Sequence, residues 1–288
     1  MMQLLTFEGR LGVKLPGGIL DVQTAAHQAG VTDIPTSLPE LLAGGQAAKA
    51  QLEAFAANSA SGSLLDESQI RYDPCVVRPE KILCLGRNYR RHGPKLEPGQ
   101  QPAPTLFAKY NNTLAACGEV IPLPPVSEQY DYEAELAVII GQRAKNVPEA
   151  DALNYVLGYC NANDLSARDL QNQTSQWMMG KTLDKFLPIG PYLVTADEIP
   201  DPQALSVRCW VNGVLGQDSN TSEMIFPVAY LITYFSRHFT LEAGDVIITG
   251  TPAHLNQGEK VWLKVGDRVT VEVQGLGQLT NIMGPNPH

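Results

Sequence analysis

Short apolar runs, broken every few residues by polar or turn-forming positions, dominate the chain and predict many strands and few helices. Past residue 75 the runs at 81–85, 135–140, 155–161, 207–211, 245–249 and 261–273 read as strands. Leu136 to Ile140 is apolar at every position, as expected of a strand buried on both faces. One helical periodicity interrupts them, from about Pro227 to Arg237, with proline at a natural first-turn position. Ahead of the runs, Gln3 to Phe7 and Leu11 to Leu15 predict a strand pair around Glu8-Gly9-Arg10. Residues 24–29 and 37–42 predict short helices, the second with Ser37 and Glu40 as a capping box, and Gln46 to Ala57 an Ala-rich third. The polar stretch Asn58-Ser59-Ala60-Ser61-Gly62-Ser63 and the turn signal Asp73-Pro74 mark a break. The expected organisation is a small N-terminal α/β module and linker over 1–74 and a larger α+β domain of curved sheets over 75–288.

Composition narrows the class. A chain of 288 residues is long enough for one large core plus a small appendage. Its hydrophobic residues, 44% of the total, never run to the ~18 that a membrane span needs. A formal charge of -9 argues against nucleic acid, whose phosphates want a basic face. Met1 to Glu8 shows no charged-then-apolar leader, and the five cysteines are odd in number without paired spacing. The expectation is a cytoplasmic protein with reduced thiols, no membrane partner and no nucleic-acid partner.

Candidate chemistry starts at Asp131-Tyr132-Glu133-Ala134-Glu135. On a strand, Glu133 and Glu135 point the same way, where two like charges beside a core repel and resist desolvation. A divalent cation is the simplest compensation, since Mg2+, Mn2+ and Ca2+ prefer oxygen ligands. The bland alternative is a strand end in solvent. Asp164 supplies a third carboxylate where the strand 155–161 gives way to a short helix, with Ser166 a candidate cap. On that helix Arg168 and Gln171 share a face, and an arginine there suits a substrate carboxylate; the alternative is an Arg168/Asp169 surface pair. Thr251, after a strand, offers a hydroxyl and backbone to a carboxylate or is a plain turn residue, and Lys109 is a weaker ligand-binding candidate.

Six motifs in order carry a resemblance. They are Lys81 to Tyr89, Asp131 to Leu136, Asn163 to Gln171, Gly180-Lys181-Thr182, Asp218 to Phe226, and Gly244 to Pro252. From about residue 75 onward the chain resembles the fumarylacetoacetate hydrolase family, in the branch with acylpyruvases, oxaloacetate decarboxylases and 2-oxo-dioate hydratases or isomerases. The resemblance implies a mixed β-sandwich roll, a metal-dependent enzyme using Mg2+ or Mn2+ (Ca2+ being compatible), a small 2-oxo acid as substrate and a homodimer. It makes Lys181 the lysine that steadies an enolate or leaving-group oxygen, where a snorkelling lysine is the bland reading, and adds Tyr89 to the substrate-binding candidates. It also implies that His92, on a lid from Arg87 to Gln101, activates water, although Lys95 stands where a glutamate partner is usual. His254 stands where Thr-Pro-x-Gly is usual, in a loop that is short for the family.

The expected chemistry is cleavage of a C–C bond through a metal-stabilised enolate. Hydrolysis of an acylpyruvate or fumarylpyruvate is placed first. Decarboxylation of oxaloacetate, or hydratase or isomerase chemistry on a 2-oxo dioate, is the alternative, and a binding protein on the same scaffold the third reading.

Overall fold

The computed structural model describes residues 2–59, 64–90, 103–255 and 261–286. The chain opens with a three-strand meander, β1 (Gln3–Phe7), β2 (Arg10–Leu15) and β3 (Gly18–Asp21), followed by α1 (Val22–Ala29) and α2 (Leu38–Asn58). The region that the sequence divides into two helices is bounded as one, but Gly45 breaks it with φ 55° and ψ -140°. Ser37 caps its start by accepting from the Glu40 amide, while the Glu40 carboxylate accepts from Thr36, one residue earlier than a standard capping box.

Next come β4 (Ile82–Gly86), β5 (Thr105–Lys109), β6 (Leu114–Ala115), β7 (Val120–Leu123), β8 (Tyr130–Asp131), β9 (Ala134–Ile140), β10 (Val156–Asn163) and β11 (Ser166–Ala167). Two short helices, α3 (Arg168–Gln171) and α4 (Met178–Lys181), precede β12 (Leu187–Thr195), β13 (Ser206–Val211) and β14 (Val214–Asn220). The chain ends with α5 (Val228–His238), β15 (Val246–Ile248), β16 (Arg268–Val273) and β17 (Gln278–Pro285). Among the described residues this is the expected α+β class.

Ten strands form a mixed sheet in the order β3-β2-β1-β12-β10-β9-β15-β4-β5, with β6 beside β12. Five more form the second sheet, β14-β13-β16-β17-β7. Strand β9 shows why the first sheet is central. Leu136, Val138 and Ile140 enter a core shared with Val207, Cys209, Val271 and Val273 of the second sheet. Ala137 and Ile139, on the other face, enter a second core closed by Leu41, Ala48 and Leu52 of α2. The N-terminal strands extend the same sheet, with Gln3 opposite Val194 and Leu4 opposite Leu193.

Three sequence expectations shift here. Of the run 261–273 only Arg268–Val273 is a strand, because Asp267 accepts from the Lys264 amide in a turn and Gly266 turns with φ 95°. Strand β12 was not expected, since Pro188, Gly190 and Pro191 interrupt its pattern. Ser166 is not a helix cap: it lies in β11 and donates to the Asp164 carbonyl, and α3 starts from Ala167 with no side-chain cap.

Candidate active site

Antiparallel pairing of β9 with β10 builds the site. Asn163 lies opposite Ala134 and Ala162 opposite Glu135, so the residue entering β9, Glu133, meets the residue leaving β10, Asp164. The contact is fixed by Asp164 donating its amide to the Glu133 carbonyl at 2.9 Å and by Glu133 donating its amide to Asn163 Oδ1 at 3.0 Å. Glu133, Glu135 and Asp164 are all buried, each with a carboxylate oxygen within 4.8 Å of the other two. Buried like charges at this spacing repel strongly unless compensated.

The compensation is specific. Lys181 Nζ donates to Glu133 Oε2 at 2.6 Å and Asp164 Oδ2 at 2.7 Å. Arg168 donates to Glu133 Oε1 at 2.5 Å, Asp131 Oδ2 at 2.8 Å and Gln171 Oε1 at 2.8 Å. Lys109 Nζ donates to Asp164 Oδ1 at 2.5 Å and to the carbonyls of Phe186 and Leu165 at 2.8 and 3.1 Å. Among the described residues Glu135 has no cationic side chain on it; its hydrogen bond comes from the Gly250 amide at 2.5 Å. Gly250 can present that amide because it holds φ 94°, and a Cβ there would stand 2.8 Å from Asn88 Cβ.

The protonation preferences follow. Burial works against the Glu133 carboxylate, yet Arg168 and Lys181 outweigh it and hold the group well below the usual range. Burial pushes Glu135 up, and the charges of Asp164 and Glu133 push the same way. Burial opposes the charge on Lys181, but Asp164 and Glu133 outweigh it and raise the group. Burial lowers Lys109 even beside Asp164. Among the described residues four carboxylates, counting Asp131, face three cationic side chains, so with every group ionised one negative charge is in excess. An all-oxygen donor set with that excess, gathered at Glu135, fits a hard divalent cation.

A cavity of about 760 Å3 opens in front of the cluster, lined by Glu133, Glu135, Arg168, Gln171, Lys181 and Thr251 among others. These expected residues are therefore brought together. Two are not. Lys109, expected to bind a ligand, lies behind Asp164 with all three ammonium protons donated inward, so it supports the carboxylate. Tyr89 is buried, bridges to Met224 and has no hydrogen bond on its hydroxyl, and it is not among the cavity-lining residues. His92 and the greater part of the expected lid fall outside the described residues. Thr251 already donates its hydroxyl to the Ala134 carbonyl at 2.9 Å.

Two residues stand out that sequence reading passed over. Gln217 is fully buried, accepts from the Ala134 amide at 2.9 Å, and donates to Thr251 Oγ1 at 2.8 Å and the Pro252 carbonyl at 2.7 Å, tying the start of β9 to the segment after β15. Asp131 orients Arg168. Its signal was present, since Asp131, Glu133 and Glu135 follow one another at alternate positions.

A family model described as fumarylacetoacetate (FAA) hydrolase C-terminal matches residues 81–283. The mitochondrial oxaloacetate tautomerase fahd2 of Xenopus laevis is 38% identical over 290 residues, covering 97% of this chain and 89% of the relative. The solved structure of fumarylacetoacetate hydrolase from Exiguobacterium antarcticum superposes with a TM-score of 0.78 at 31% identity, covering 99% of this chain and 100% of that one. Maleylpyruvate hydrolase from Sphingobium sp. SYK-6, solved with manganese(II) and pyruvate, superposes with a TM-score of 0.81 at 27% identity over 99% and 100% of the two chains. No helix among the described residues is long and apolar enough to cross a membrane.

Proposed function

This chain belongs to the fumarylacetoacetate hydrolase family, and we propose that it interconverts the enol and keto forms of a 2-oxo dioate of the oxaloacetate type, with Mg2+ or Mn2+ as cofactor. The observation that carries the reading is the cluster of Glu133, Glu135 and Asp164 with Lys181 across two of them, facing a cavity rimmed by Arg168 and Gln171. A bound divalent cation supplies polarisation of the 2-oxo group and lowers the cost of an enolate.

The chain's own residues do the rest. Arg168, held flat by Asp131 and Gln171, presents a fixed guanidinium edge to a substrate carboxylate. Lys181 keeps positive charge beside the position where negative charge develops. Gln217 and Thr251 hold the backbone around Gly250 rigid, so Glu135 stays aimed at the cation. Tautomerisation asks only for enolate stabilisation and a proton transfer. It needs no activated water, which suits a chain with Lys95 where a glutamate partner is usual.

Hydrolysis of an acylpyruvate, placed first on the sequence alone, becomes the second reading. Its support is the likeness to the maleylpyruvate hydrolase. One panel separates them: decay of enol-oxaloacetate absorbance and cleavage of acylpyruvates, each with Mg2+ or Mn2+. Accelerated enol decay without acylpyruvate cleavage is the expected result, and no acceleration over buffer sinks the reading. The homodimer is proposed on family resemblance alone. A mass near the 31.3 kDa of one chain in light scattering refutes it.

A further inference from the structure

His254 lines the same cavity as Glu135 and Lys181, in the segment that follows β15. Its ring packs edge-on against Tyr132 with centroids 4.6 Å apart, which fixes its plane. Nε2 is shut away from solvent without a hydrogen bond, and Asp131 Oδ1 stands 3.4 Å from it. Asp131 Oδ1 already accepts from the Tyr132 amide at 3.0 Å, and Oδ2 from Arg168. Nδ1 makes no hydrogen bond among the described residues either. A carboxylate behind one ring nitrogen, with the other left free, is the arrangement that orients an imidazole for proton transfer. Such contacts are commonly long before substrate arrives.

Among the described residues, several other groups facing the cavity are tied to partners. Lys181 holds two carboxylates and Arg168 three acceptors. Thr251 gives its proton to Ala134, and burial pushes the Tyr132 phenol further above its ordinary value, which already lies above neutral pH.

We infer that His254, oriented by Asp131, is the residue that moves the proton at the carbon next to the 2-oxo group, an inference that rests on the proton-transfer reading above. In the enol-to-keto direction the protonated ring gives its proton to that carbon. The enol hydroxyl loses its proton to solvent, the C=C bond becomes single and the C–O bond becomes double. The ring then recovers a proton from water. Nothing is oxidised, and no group leaves.

The test follows deuterium wash-in at the carbon next to the oxo group of 2-oxobutyrate, in D2O with Mg2+, beside enol-oxaloacetate decay. Oxalate affinity, by calorimetry with Mg2+, reports whether the site is intact. His254→Gln should slow wash-in about a hundredfold or more, the scale of general acid–base catalysis, with oxalate affinity unchanged. Added imidazole should restore part of the rate to His254→Ala. Wash-in at the wild-type rate in both variants overturns the inference, as does a parallel loss of oxalate affinity, which would make the ring structural. His254-dependent wash-in in a protein that leaves enol-oxaloacetate untouched supports the inference and removes the tautomerase reading. Rapid enol decay in both variants does the reverse.

Discussion

On the cavity wall formed by β9, β10, α3 and α4, charged groups are locked to partners: Asp164 to Lys109 and Lys181, Glu133 to Lys181 and Arg168, Arg168 to Asp131. On the facing wall, made by the β13–β14 hairpin and the segment after β15, Val211, Val214 and Leu215 offer apolar surface, and His254 leaves Nε2 without a hydrogen bond. The first wall holds its charges in fixed positions by direct ion pairs, the preorganisation that oxyanion chemistry requires. The second is mainly shaped surface, with the His254 ring set in it. The difference teaches where change is tolerated: substitutions on the charged wall and at His254 should be severe, and those on the apolar part of the facing wall mild.

The largest expected effect is at Glu135, the carboxylate without a cationic partner. Glu135→Gln should abolish metal-dependent activity and metal affinity while the fold persists, because the amide can still accept the Gly250 hydrogen bond. Wild-type activity in that variant would sink the metal assignment. Proton linkage sharpens the point. Burial and neighbouring charge raise Glu135 in the metal-free fold, so the folded protein holds a proton there above the ordinary glutamate value of about 4.3. The unfolded chain does not, so metal-free stability declines as pH rises above that value. Metal binding must expel the proton, so affinity should rise with pH and calorimetry in two buffers should detect proton release. Both effects should vanish in Glu135→Gln. Glu133, held low, acts with the opposite sign: its contribution is complete above about 4.3 and is lost as pH falls below it.

Next come the two lysines, Lys181 expected from the resemblance to steady an enolate and Lys109 a weaker ligand-binding candidate. Lys109→Met removes three donors from a fully buried group and strips Asp164 of one partner. Breaking such a buried pair costs about 3–5 kcal/mol, read as a large drop in melting temperature with or without metal. Lys181→Met leaves Glu133 with Arg168 and Asp164 with Lys109, so its main loss should be in turnover. The barrier should rise by about 3 kcal/mol, the scale of one oxyanion donor, with a smaller fall in melting temperature. If the two variants lose stability equally, Lys181 is structural and the charged wall has no catalytic specialisation.

Much of the charged wall was legible before the fold was known. Glu133 and Glu135 at alternate positions ahead of Leu136 to Ile140 required one face with two acids, and β9 provides it. The expected step from strand to short helix is present, with Asp164 just after β10 and Arg168 and Gln171 on α3. What failed depends on partners far along the chain. Nothing local says that Lys109 turns inward to carbonyls at Leu165 and Phe186. Nor does anything local say that Gln217 reaches Ala134, 83 positions away. Strand β12 was hidden because Pro188, Gly190 and Pro191 carry no strand signal of their own. Its place is set by β1 and β10 on either side, with an irregular register near Tyr159 that accommodates the break. The first sheet's long reach back to residues 3–21 could not be read from local pattern for the same reason.

A third, smaller effect tests how tightly the charged wall is packed. Gly180 lies where α4 crosses α3, and a Cβ there would fall 2.5 Å from the Ala167 carbonyl oxygen and 2.5 Å from the Gln171 amide. Those are backbone atoms that cannot swing away, so Gly180→Ala must push the two helices apart. Lys181 and Arg168 would move with them, and displacement from a productive geometry costs rate steeply. Activity should fall by more than stability. Equal falls would mean that the crossing matters to the fold and not to the alignment of the two cations.

The smallest effect is expected on the facing wall, at Val214. It starts β14 just after the Asn212-Gly213 turn, whose positive φ angles of 52° and 82° set the hairpin by backbone conformation and not by side-chain packing. Val214 is 65% exposed while lining the cavity, so it gives little to the core. Val214→Thr keeps the β-branched shape and strand preference and places a hydroxyl where water already reaches. Stability should stay within about 0.5 kcal/mol of wild type, as for surface changes away from special features. If a substrate's far end rests on this wall, KM should change and kcat should not, because contact there is equal in the ground and transition states. A fall in kcat would break the comparison: it would mean that the hairpin moves with the reacting groups and takes part in the chemistry instead of bounding it.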